Sequence, residues 1–85
     1  MADITMYSAQ GCGYCQSAEH LLKRKGVGVL TRIRVDAEPG QLELMIAKTG
    51  RRTVPQIFIG NLHVGGFDDL TALERSGRLD ELLAN

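Results

Sequence analysis

The chain has little of what a nucleic-acid or membrane partner would require. Its ten basic and ten acidic residues cancel, so there is no excess of positive charge for nucleic acid. No apolar run approaches the roughly 20 residues of a membrane-spanning helix. Met1-Ala2-Asp3-Ile4 lacks the basic region and apolar core of a signal peptide. These absences predict a cytoplasmic protein, in a compartment where thiols are kept reduced. Repeats, linkers and low-complexity stretches are also missing, and 85 residues suit one small domain, 1–85, with a thin core.

Cysteine and histidine are scarce, two of each. A structural zinc site needs four ligands, and there is no second Cys-x-x-Cys and no His-x-x-x-His. His20 and His63 stand far apart. No metal site is expected from these side chains. A purely structural disulfide is a weak alternative, because so small a ring contributes only about 2 kcal/mol in the chain-entropy model.

What is there is Gly11-Cys12-Gly13-Tyr14-Cys15-Gln16. The apolar Ile4-Thr5-Met6-Tyr7 leads into it and a helix-patterned stretch from Ser17 to Lys25 leads out. The pair therefore falls where a strand gives way to a helix. A helix N-terminus presents free N–H groups and partial positive charge, which favours a thiolate over a thiol. Cys12 suits the cap position. Cys15, three residues on, lies on the same face, so an attacking thiol is backed by a resolving one.

The rest of the chain supplies a frame. Tyr14, Cys15, Ala18, Leu21 and Leu22 follow a helical period over about Gly13 to Lys25. Lys23, Arg24 and Lys25 read as a solvated helix end, and Gly26 as its stop. Val27 to Val35 alternates as a second strand, parallel to the first across the helix. Pro39 suits the first turn of a second helix. Leu42, Met45, Ile46 and Thr49 form that helix's apolar face, and Gly50 ends it. Gln56-Ile57-Phe58-Ile59 is a strand, Gly60-Asn61 a hairpin turn, and Leu62-His63-Val64 the returning strand. Asp68 is an apt cap for a third helix. Leu79, Leu82 and Leu83 add a last helical turn. The order β-α-β-α-β-β-α predicts an α/β sandwich of the thioredoxin type.

Three motifs in order, Cys12-Gly13-Tyr14-Cys15, Thr53-Val54-Pro55 and Gly65-Gly66-Phe67-Asp68-Asp69, make the chain resemble the glutaredoxins, over about Ile4 to Leu83. It is most similar to the small bacterial dithiol members. The resemblance implies a four-stranded mixed sheet with helices on both faces, a cis peptide bond before Pro55, and glutathione as co-substrate. Cys12 would attack and carry the glutathionyl mixed disulfide, and Cys15 would resolve protein disulfides. Tyr14 would border the glutathione groove. Thr53 and Pro55 would shape its wall, and Val54 would pair its backbone with the cysteinyl part. Backbone N–H groups of Gly66, Phe67 and Asp68 would meet the γ-glutamyl carboxylate, with Asp68 or Asp69 facing the ammonium.

The chain departs from that pattern at three places. Ala9 stands where a lysine is frequent, so Arg51 or Arg52 is expected to neutralise glutathione's glycine carboxylate. Gly13 replaces the usual proline and opens space beside Cys12. Phe67 stands where many relatives carry a further cysteine.

Two functions follow as expectations. One is an enzyme that reduces glutathione mixed disulfides and protein disulfides, with glutathionylated or disulfide-containing proteins as partners. The other is a carrier of a 2Fe-2S cluster, held between two copies by Cys12 of each and two glutathiones. The chain is expected to be a monomer unless it binds such a cluster.

Overall fold

The computed structural model describes residues 3–84. The elements in order are β1 (Ile4–Ser8), α1 (Gly13–Arg24), β2 (Leu30–Arg34), α2 (Gln41–Thr49), β3 (Gln56–Ile59), β4 (Leu62–Gly65), α3 (Phe67–Ser76) and α4 (Arg78–Ala84). They form the expected four-stranded sheet, in the order β2-β1-β3-β4. β1 runs parallel to β2 and antiparallel to β3, and β3 and β4 form the hairpin.

Strand alternation divides the side chains between the two faces. Ile4 and Met6 of β1 and Ile57 and Ile59 of β3 join Ala18, Leu21 and Leu22 of α1, Leu70 of α3 and Leu79 and Leu83 of α4 in one buried cluster. Tyr7 points to the opposite face. There it meets Phe58 edge-on and lies 3.4 Å from Lys48 of α2. Helices thus cover both faces of the sheet, and β1 is central.

Strand β2 starts later than its valine pattern predicts, at Leu30 and not at Val27. The end of α1 explains this. Gly26 takes a left-handed φ of 93°, its N–H reaches the Lys23 carbonyl, and the Val27 N–H reaches the Leu22 carbonyl. This is a Schellman turn, and it sets Val27 against the helix it terminates. Val27 is buried, while Val29 is 82% exposed.

Three other local expectations shift. Gly40, not Pro39, precedes α2 as its cap. The cap of α3 is Gly66, and Asp69, not Asp68, supplies the capping carboxylate. Lys25 does more than solvate a helix end: it sits 3.0 Å from Glu74 and 2.7 Å from Asp80, tying α1 to α3 and α4.

Candidate active site

β1 carries the chain to one end of the sheet, and the loop after Ser8 brings it round to α1. Cys12 is the N-cap of that helix, in an extended conformation with φ −86° and ψ 105°. The Cys15 N–H donates to Cys12 Sγ at 3.1 Å. A sulfur atom therefore takes the place that a serine or aspartate oxygen fills in an ordinary cap. The first turn of α1 contains no acidic residue, and its last turn holds Lys23 and Arg24. The positive end of the helix is thus left uncompensated at Cys12. Cys12 and Cys15 are joined as a disulfide, with their Cα atoms 5.2 Å apart. Cys15 is buried in the core beneath Cys12.

Cys12 Sγ lies 3.9 Å from the Val54 carbonyl oxygen. Val54 precedes Pro55 through a cis peptide bond, as the resemblance implies. Beyond this point opens a cleft of about 350 Å³, a volume within the range of small-molecule sites. It is lined by Tyr14, Arg51, Thr53, Val54, Pro55, Gly66, Phe67, Asp68 and Asp69. Apart from the arginine alternative, every residue expected in the groove lines this one cleft, and Arg51 is the arginine found there. Arg52 does not line it.

The floor of the cleft is the start of α3. Its first N–H groups, those of Phe67, Asp68 and Asp69, have no acceptor within the helix. The Gly66 N–H, expected to be open to a ligand, already donates to Asp69 Oδ2 at 2.9 Å. The same carboxylate oxygen accepts from Arg51 Nη1 at 2.9 Å. Hydrogen bonds from Arg51 and then Gly66 hold the Asp69 carboxyl below its ordinary range. Asp69 is therefore engaged, and the exposed Asp68 is the acidic group left open to a cation. Gly65 makes this arrangement possible. Its φ is +116°, and a side chain there would run into the Asp69 carboxylate.

Two residues of the site were not legible as such. Gln56, read only as the start of a strand, is 1% exposed. Its Nε2 donates to the Thr53 carbonyl at 3.0 Å and lies 3.4 Å from Thr53 Oγ1. Its Oε1 is 2.8 Å from His63 Nε2. With the amide nitrogen directed at Thr53 oxygens, Oε1 accepts, so His63 carries its proton on Nε2. Burial, and then the charge of Arg51, push the His63 pKa down. The network pins the Thr53–Pro55 wall to β3 and β4. Its signal in the sequence was a polar residue directly after Pro55 in an otherwise apolar strand.

The sequence model of the family described as Glutaredoxin matches residues 4–64. A glutaredoxin of Neisseria meningitidis is 51% identical over 83 residues, covering 98% of both chains. Glutaredoxin 3 of Escherichia coli is 46% identical over 83 residues, covering 98% of this chain and 99% of its own. Among solved structures, that of a buckwheat glutaredoxin–glutathione complex superimposes with a TM-score of 0.88 at 32% identity, covering 98% of this chain and 77% of that one.

Proposed function

The chain belongs to the glutaredoxin family and is a thiol–disulfide oxidoreductase; from that premise we propose that it uses glutathione to reduce glutathione mixed disulfides and protein disulfides in the cytoplasm. The observation that carries the reading is the cleft that runs from Val54, whose carbonyl oxygen lies 3.9 Å from Cys12 Sγ, to the α3 N-terminus. One end offers the Val54 backbone, with the reduced Cys12 sulfur beside it. The other offers N–H groups of Phe67 and Asp68 for a carboxylate and the Asp68 carboxylate for an ammonium. Arg51 lies between them, using one nitrogen on Asp69 and leaving the rest of its guanidinium for a second carboxylate. A buckwheat relative has been solved as a glutathione complex.

The steps follow from exchange chemistry. The Cys12 thiolate attacks the glutathione sulfur of a mixed disulfide. A Cys12–glutathione bond forms, and the substrate leaves as a thiolate that takes a proton from water. A second glutathione thiolate then attacks the bound glutathione sulfur, giving glutathione disulfide and free Cys12. With a protein disulfide, Cys12 takes one substrate sulfur, Cys15 attacks Cys12, and glutathione reduces the resulting disulfide.

Turnover of a glutathionylated peptide, coupled to glutathione reductase, tests this reading. Wild type and Cys15→Ser should both turn over, and Cys12→Ser should not. Activity retained in Cys12→Ser would end the proposal.

A second reading, the cluster carrier, is supported at Gly13, where a Cβ would meet nothing within 4 Å. Among the described residues no group of three or more histidine, cysteine or acidic side chains could hold a metal. One chain's own donors therefore do not fit a 2Fe-2S cluster, and this reading needs a second copy and external thiols. A colourless monomer after anaerobic reconstitution with iron, sulfide and glutathione would remove it.

A further inference from the structure

The Cys12–Cys15 pair lines a second cleft, which shares no lining residue with the first. This cleft, of about 360 Å³, reaches both cysteines between Gln16 and Glu19 of α1 and Arg32 and Arg34 of β2. In disulfide exchange a thiolate attacks one sulfur and the other sulfur leaves, with the three sulfurs close to a line. When Cys15 attacks an adduct on Cys12, the departing sulfur lies on the side of Cys12 away from Cys15. That leaves the second cleft to water, as the approach to an otherwise buried Cys15.

Charge in this cleft is organised around Glu19. It stands four residues after Cys15, on the same face of α1. Arg32 Nη1 donates to both of its carboxylate oxygens, at 2.8 and 2.9 Å, and Lys23 lies 3.1 Å away. Its side chain is only 15% exposed. Burial alone would raise its pKa, but hydrogen bonds from Lys23 and Arg32 more than reverse this and keep it ionised. Arg34 is occupied by Asp36 through two contacts of 2.6 Å. No other acidic side chain lines the cleft, and the core cluster that holds Cys15 is apolar.

We propose that Glu19 is a positioning residue that governs how long an adduct persists on Cys12. By pairing with Arg32 and Lys23, its carboxylate withholds their positive charge from Cys15 and so slows thiolate formation and attack there, so that an external thiol can take the adduct first. The proposal rests on the reading that Cys12 carries the mixed disulfide. In the step it governs, Cys15 Sγ gives its proton to water in the second cleft. The thiolate bonds to Cys12 Sγ, the bond from Cys12 to the substrate sulfur breaks, and that sulfur leaves with the electron pair and is protonated by solvent. The cysteine pair is oxidised and the substrate reduced.

Removing the charge of Glu19 favours the Cys15 thiolate. For each unit by which the thiol pKa falls, the thiolate fraction rises about tenfold and its nucleophilicity falls about threefold, a net acceleration of ~3-fold. The test compares wild type, Glu19→Gln and Glu19→Asp, each with and without Cys15→Ser, using a glutathionylated peptide. The Cys15 titration is read by NMR of labelled cysteine in the reduced protein. Glu19→Gln should lower the Cys15 titration midpoint and speed release of the Cys12 adduct, about threefold for each unit of that fall. Glu19→Asp should stay near wild type, and Glu19→Gln should change nothing relative to Cys15→Ser alone. An unmoved Cys15 titration, or equal acceleration in the Cys15→Ser background, would overturn the proposal. If Cys15→Ser never forms an adduct, the reading of Cys12 fails instead, and the Cys15 titration still decides the role of Glu19.

Discussion

Replacing Gln56 by leucine removes a buried side chain that holds the groove wall from behind. The volume changes little, so packing is nearly conserved and the effect is polar. Three interactions go: Nε2 to the Thr53 carbonyl at 3.0 Å, Nε2 to Thr53 Oγ1 at 3.4 Å, and His63 Nε2–H to Oε1 at 2.8 Å. Leaving a buried polar group unpaired costs about 1–3 kcal/mol. Thr53 is exposed and can turn to water, whereas His63 is only half-buried and loses its acceptor. The expected loss is therefore about 1–2 kcal/mol. In a domain of this size each kcal/mol lowers Tm by roughly 4–8 °C. The wall also loosens, so KM for a glutathionylated peptide should rise more than kcat falls. Gln56→Glu sharpens the test. At neutral pH its carboxylate presents only acceptors to the Thr53 carbonyl, and it should be worse than leucine. Protonation restores a donor, so part of the loss should return on acidification. Thermal unfolding by circular dichroism and steady-state kinetics read both effects. Gln56→Leu melting within about 2 °C of wild type, with an unchanged KM, would refute the reasoning.

Gly65→Ala should destabilise by more than about 1 kcal/mol, because the backbone there is left-handed and the new methyl displaces the Asp69 carboxylate; thermal melts and a raised KM check it. Asp69→Asn should flatten the acid limb of stability. The folded pKa of Asp69 is depressed, so its contribution is complete above about pH 4 and is lost as pH falls through the lower folded value. Denaturant titrations from neutral pH downward should show the wild type losing stability over that window and the variant losing less. Leu70→Ala, at a fully buried position of α3, should lose about 2–5 kcal/mol, read as a large drop in the denaturation midpoint.

The backbone frame of the candidate site was legible in the sequence because its parts are local. A Cys-x-x-Cys at a strand-to-helix junction, a proline before a strand and a glycine pair before a helix each report their own backbone. What the pattern could not show was how side chains from different segments settle against each other. Arg51 was assigned to a ligand, yet part of it is held by Asp69, eighteen residues on. Asp68 was read as the cap of α3, but the turn at Gly65 and Gly66 places Asp69 Oδ2 on a backbone N–H. Val27 kept strand parity but was drawn into the Schellman turn of α1. Nothing in the sequence singled out Glu19, which Arg32 of β2 meets only in the folded chain.

The central claim is that glutathione joined to Cys12 occupies the cleft between Val54 and the start of α3. The most direct measurement is amide NMR of Cys15→Ser before and after reaction with glutathione disulfide, with mass spectrometry to locate the adduct. The account predicts one glutathione on Cys12 and the largest amide shifts at Val54, Phe67 and Asp68. An adduct whose shifts fall instead on Gln10, Gln16 and Arg34, around the second cleft, would contradict it.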